Sequence, residues 1–201
     1  MIDFFKDDRM DFELGAELKY NNSGYVILGY IIELVSGQSY ADFVQEHIFQ
    51  KFGMNAARNG SHFQVIPNQA YGYHQKDDYV NRNYVSLSLP DSSGSQMSSV
   101  NDLLIRNEAQ KSDRLLKPGT KTRLYRDYSL DDGETIKYGY GWHIVKIGDI
   151  TSHGHGGSIF GFKSMGVYLP KRDINVVGLT NCDCNSPTVL TRQIAAFAMQ
   201  Y

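Results

Sequence analysis

Two short polar stretches hold the side chains of this chain best suited to moving protons. Tyr20-Asn21-Asn22 stands directly ahead of an apolar run, and His155-Gly156-Gly157-Ser158 comes shortly before Gly161-Phe162. Together they offer a phenol, an amide and an imidazole. A free phenol titrates near about 10 and a free imidazole near about 6.5, so a phenol acts as a base at neutral pH only beside a cation, whereas an imidazole exchanges protons there unaided. The Asn22 amide can donate to a carbonyl, and Gly157 leaves a strand bare for close approach. Plainer roles exist for the same residues: a Tyr ahead of a helix packs, and Asn22 or Ser23 caps it. His153 and His155 lie two apart, so in a strand they face one side and could hold a metal. No further His, Cys, Asp or Glu pattern accompanies them, and no metal or cofactor is expected. His47, His62, His74 and His143 stand outside any motif and read as surface or cleft-wall residues.

The elements that must position these groups follow from periodicity. Ser23 to Val35 is apolar at nearly every position, which predicts a core helix ended by Gly37. Ser39-Tyr40-Ala41-Asp42 reads as a capping box for a second helix that closes at Gly53-Met54. From Asn55 to Met97, Gly, Asn, Asp and Ser scattered among tyrosines predict long loops with short strands, a common way to wall a cleft. Tyr71, Tyr73, Tyr79 and Tyr84 in that stretch could line it or half-bury themselves. Ser98 or Ser99 caps a helix through Leu103, Leu104 and Ile105, and Pro118-Gly119 starts another to about Tyr128. After Tyr138 the pattern becomes strands: Tyr140 to Ile147, Ile150 to His153, Phe162 to Leu169 and Ile174 to Thr180, joined by Gly148-Asp149, a His/Gly loop and Pro170-Lys171-Arg172-Asp173. Short connections make the pairing antiparallel, and Trp142 belongs to the core. Ser186-Pro187 opens a last helix whose Leu190, Ile194 and Phe197 are expected to cover the sheet. Helices first and an antiparallel sheet afterwards define an α+β fold, with a helical and loop region over 1–137 and a sheet with its C-terminal helix over 138–201.

Composition narrows the functions. The chain has 201 residues, 41% hydrophobic and 21% charged, with a formal net charge of −2. That balance makes no electrostatic case for nucleic acid or an anionic membrane. Tyr25 to Ile32, the longest apolar run, is far short of a spanning helix. Met1-Ile2-Asp3-Phe4-Phe5-Lys6-Asp7-Asp8 lacks the basic start and apolar centre of a signal peptide, and the compartment stays open among periplasm, cell exterior and cytoplasm. Cys182 and Cys184, only two apart, read as ordinary thiols.

The two motifs, their order and their flanks resemble the serine β-lactamase and penicillin-binding-protein family. Tyr20-Asn21-Asn22 matches its Tyr-x-Asn, and His155-Gly156-Gly157 matches the His-x-Gly form of its Lys-Thr-Gly box. Leu28-Gly29, Ser36-Gly37, Tyr40 and Phe52-Gly53-Met54 are similar to its text after the first motif. Tyr138-Gly139-Tyr140-Gly141-Trp142 and Gly161-Phe162 are similar to its closing sheet. The resemblance implies a partial β-lactamase/transpeptidase-like fold and acyl transfer in the manner of the class C-like esterase, D-aminopeptidase and DD-peptidase group. It implies that Tyr20 exchanges protons with nucleophile and leaving group, Asn22 donates to the substrate, and His155 sits across the cleft. Gly157 and the Ser158 N–H would then meet the substrate, the latter as an oxyanion donor. His155 in place of Lys removes a permanent cation, which tilts the expected substrate toward small esters, amides or D-amino-acid peptides.

The third family motif is missing. No Ser or Thr in the chain has Lys three residues later, so the Ser-x-x-Lys nucleophile and its activating cation are absent. Three readings stay open: a shortened or cleaved polypeptide, a partial gene, or a noncatalytic β-lactamase-like binding module. The expectation is the C-terminal part of a serine hydrolase, inactive by itself. In the family, the first strands pair with the strand matching Ile174 to Thr180, so that strand is expected to take a separate N-terminal segment or to self-associate.

Overall fold

The apolar run after Tyr20 folds as helix α1 (Asn22–Ser36), in a computed structural model that describes residues 3, 6–61 and 63–201. His62, Met1, Ile2, Phe4 and Phe5 lie outside that description. The N-cap is Asn21, one residue ahead of the expected pair: its side chain accepts from the Gly24 N–H at 3.1 Å. Gly37 ends the helix in the left-handed region at φ 72°, returning its N–H to the Glu33 carbonyl. The core position expected for α1 does not hold. Only Val26 and Gly29 are buried, while Leu34 is 66% and Val35 83% exposed. The helix packs by one narrow stripe because Gly29 admits Ser92 closely, a Cβ there falling 2.2 Å from Ser92 Oγ. Ser92 Oγ in turn donates to the Tyr25 carbonyl at 2.9 Å.

Contacts group the chain into two units. One consists of Met1–Phe63, Ser86–Asp102 and Tyr128–Ile136; the other consists of Gln64–Val85, Leu103–Asp127 and Lys137–Tyr201. In the first, Ser39 caps α2 (Tyr40–Val44) by accepting from the Asp42 N–H, and its hydroxyl donates to the Asp42 carboxylate at 2.6 Å. A wider turn, Gln45–Gln50, carries the helix on. Val44, Phe49, Met54 and Ala57 from this stretch are all buried. Strands β1 (Arg58–Asn59) and β4 (Gln96–Met97) pair beside it. Buried Asp102 accepts from the Ala56 N–H at 2.7 Å, which ties the start of helix α3 (Val100–Lys111) to that core.

The second unit is built on an antiparallel meander: β5 (His143–Ile147), β6 (Ile150–Ile159), β7 (Phe162–Leu169) and β8 (Ile174–Thr180), in that spatial order. The hairpin β2 (Tyr73–Gln75) and β3 (Tyr79–Asn81) and the short helix α4 (Pro118–Leu124) complete it. The His/Gly segment is strand rather than loop, in register with β7 from His155↔Gly166 to Ile159↔Phe162. The chain turns only at Phe160-Gly161, where Gly161 takes φ +78°.

Helix α5 (Pro187–Ala198) covers the sheet, but by a different face from the one expected. Thr191 and Ala195 are buried, and Leu190, Ile194 and Phe197 are 60%, 46% and 59% exposed. Gly178 is the reason: a Cβ there would lie 2.6 Å from Thr191 Oγ1, so helix and strand approach through small residues. Ala195 closes a core with Ile147, Met165, Val167 and Leu169. Cys182 and Cys184, expected as thiols, are joined in a disulfide. Its short ring fits the bend that follows β8, where Tyr73 and Cys182 form a bridge between segments.

Candidate functional site

His155 is fixed from two directions. Its Nδ1 lies 2.6 Å from the Gly141 carbonyl, and its ring stands 5.4 Å from that of His143, with the planes 31° apart. The next residues run bare along β6. A Cβ on Gly156 would meet the Ser164 carbonyl at 3.2 Å, and one on Gly157 would meet Ser164 Oγ at 2.7 Å. Gly157 and Ser158 pair with Ser164 and Lys163 of β7 on one side. On the other side β5 ends at His143, opposite Gly154. From Gly156 to Ser158 the strand is therefore exposed and carries no strand partner on that edge among the described residues. An open, side-chain-free strand edge can take an extended peptide through its backbone groups.

Tyr20 and Asn22 belong to the first unit. Tyr20 is exposed and Asn22 is the first residue of α1. The cap on Asn21 sets where the helix starts, and so sets the direction in which Asn22 leaves it.

Three features were not visible as motifs. His143, read as a lone histidine, stacks on His155, and partial burial, then the charges of His155 and Arg192, push its pKa down. His153 does not share the surroundings of His155: it is buried, packs on Tyr125 at 4.5 Å, and burial pushes its pKa down. Among the described residues its Nδ1 has no hydrogen-bond partner. His74 meets Asp183 at 2.5 Å across 109 residues of sequence. Desolvation works against ionisation of Asp183, yet the Gly161 N–H and then His74 hold its carboxyl below its ordinary range. No local signal marks any of these pairings, because each depends on register or on a contact far apart in sequence. Trp142 is buried, as its pattern suggested, with the Arg106 guanidinium 5.3 Å above its ring. Among the described residues, no three His, Cys, Asp or Glu side chains converge as for a metal ion.

An antiparallel sheet backed by a C-terminal helix, with a histidine and a glycine-lined open edge on one strand, is the sheet of a β-lactamase and penicillin-binding-protein fold. The chain belongs to the Beta-lactamase family, whose model matches residues 1–198. A penicillin-binding protein of Bacillus subtilis is 35% identical over 161 residues, covering 72% of this chain and 36% of the relative. A D-aminopeptidase of Gluconobacter oxydans is 23% identical over 192 residues, covering 94% of this chain and 36% of the relative. The octameric penicillin-binding protein homologue from Pyrococcus abyssi superposes with a TM-score of 0.84 at 25% identity, covering 99% of this chain and 47% of that one. The chain thus spans about a third of the length of these two curated relatives. No described helix is long and apolar enough to cross a membrane.

Proposed function

We propose that these residues serve an acyl-enzyme reaction on a small ester, amide or D-amino-acid peptide, and that the 201 residues are inactive by themselves. The observation that carries the reading is the open edge of β6 from Gly156 to Ser158 beside a tethered His155. Extended substrate lies along that edge, with the Ser158 N–H as an oxyanion donor. Tyr20 exchanges protons with nucleophile and leaving group, and Asn22 donates its amide to the substrate. Membership of the family, and a D-aminopeptidase among its relatives, support this choice of substrate. With no Ser-x-x-Lys in the sequence, nucleophile and activating cation must come from outside it. The test is labelling by a fluorophosphonate with mass-spectrometric mapping, alongside turnover of a p-nitrophenyl ester. Neither should be seen with the chain alone. Stoichiometric labelling of one serine would overturn the inactivity, and a complete gene that also lacks Ser-x-x-Lys would favour a binding module.

Partner binding follows from the sheet edge. Strand β8 pairs with β7 on one side and with no strand on the other among the described residues. Beside it α5 exposes Leu190, Ile194 and Phe197. An apolar edge of this kind recruits a further strand. We assign it to a strand from a further segment of the same polypeptide, in whose absence the chain self-associates. Light scattering reads this directly, and a stable monomer at high concentration would remove the proposal.

A further inference from the structure

The proton on His155 is assigned by its neighbours. A carbonyl oxygen only accepts, so the 2.6 Å contact with Gly141 requires Nδ1 to carry hydrogen, leaving the lone pair of the neutral ring on Nε2. The turn that delivers this carbonyl is itself tightly specified. Gly139 donates to the Trp142 carbonyl at 2.9 Å, Gly141 to the Gly139 carbonyl at 2.8 Å, and Tyr140 to the Leu124 carbonyl at 3.2 Å. Gly141 takes φ +81°, where a side chain is strained. A Cβ on Gly139 would fall 2.4 Å from the Leu124 carbonyl oxygen. Immediately after the turn comes His143, whose ring stacks on His155, while Tyr138 packs edge-on against His143 at 4.8 Å. Tyr138 and His143 are also backbone bridge partners, so both walls of the turn close on one ring.

We propose that the stretch from Gly139 to His143 is a tautomer clamp, in which the Gly141 carbonyl fixes His155 as the Nδ1–H form and the His143 ring holds its plane. This deepens the hydrolase reading above, in which His155 stands beside the substrate edge: the clamp makes Nε2 the acceptor nitrogen of the neutral ring. Gly141 and His143 are positioning residues. A neutral carbonyl orients the ring without setting a full charge against it, unlike the carboxylate of Asp183 at His74. The two rings stand 5.4 Å apart, and burial, then the charge of His155, push the pKa of His143 down.

Long-range 15N–1H correlation spectra of the histidine-labelled chain, recorded with no substrate, read the tautomer directly. Expected for His155 is a protonated Nδ1 and an unprotonated Nε2 across the pH range in which the ring is neutral. His143→Ala should loosen the ring and lower the Nδ1–H share to a mixture, and His143→Phe, which keeps a stacking face, should restore it. Gly141→Ala should move the carbonyl and shift the share further. A wild-type His155 in the Nε2–H form, or as an even mixture, overturns the clamp whether or not the glycine variant folds. An unchanged tautomer in His143→Ala removes His143 from it. Because the resting protein is read, the hydrolase assignment can fail without touching this result, and the tautomer can fail while the hydrolase assignment stands.

Discussion

The two motif-bearing regions are held by different physics. Asn22 stands at the start of a helix capped by the Asn21 side chain, and most apolar side chains of α1 face outward, Val35 at 83% exposure. The burial in that unit comes instead from α2 and the turn after it, through Val44, Phe49 and Met54. His155 sits on a strand registered residue by residue with β7, above a core in which Leu169 and Ala195 are wholly buried. A helix start with few buried side chains opens easily, whereas a strand inside a packed sheet opens only with the sheet. The difference teaches that a family motif need not lie on the most stable part of a chain, and that each motif has its own tolerance to change.

The largest expected contrast is in the cores. Leu169→Ala should cost about 2–5 kcal/mol in urea unfolding, and Leu34→Ala, on the exposed side of α1, should stay within about 0.5 kcal/mol. Similar costs at the two sites would break the comparison. Next come two glycines. Gly178→Val drives a side chain toward Thr191 and should cost about 1–3 kcal/mol. Gly24→Ala, with nothing within 4 Å of the new Cβ, should be neutral or stabilising by up to about 1 kcal/mol. A smaller effect follows from the cap. Asn21→Ala should remove about 1 kcal/mol from the start of α1, seen as faster hydrogen exchange at the Gly24 amide while the amides of β6 and β7 keep their protection. Faster exchange in the strands as well would show the regions to be one cooperative unit.

The smallest effect is a pH slope. Burial lowers the pKa of His153 in the folded chain. An unfolded histidine takes up a proton near about pH 6.5, so below that pH the unfolded state binds more protons and stability falls with pH. The contribution is whole above about 6.5 and is lost as pH drops toward the lowered folded value. His153→Phe, tested by urea unfolding across that window, should flatten the slope. An unchanged slope would place the proton uptake elsewhere, with His143 the next candidate.

Much of this was legible along the chain. Gly37 as a left-handed cap, the Ser39 capping box, the meander joined by Gly148-Asp149 and by Pro170 to Asp173, and Trp142 as a buried residue all follow from local chemistry, since each depends on neighbours within a few positions. The faces of the helices did not follow. Leu190, Ile194 and Phe197 carry the right spacing to cover a sheet, yet Thr191 and Ala195 do so, because Gly178 on another element makes room only for small groups. His155 was legible through its motif, while its partners Gly141 and His143 were not.

By itself, then, the sequence determined the element types, their order, the antiparallel meander and the family, all properties written in spacing and turn chemistry. Only the tertiary structure decided that the His/Gly segment is a strand with one open edge, that Cys182 bonds Cys184, that His153 is buried while His155 is tethered to a carbonyl, and which face of α5 is dry. Apart from the disulfide, whose partners are near neighbours, those outcomes turn on register and close approach between segments far apart in the chain. Such contacts are chosen by packing and hydrogen-bond satisfaction of the whole fold, and no window of neighbouring residues contains both partners.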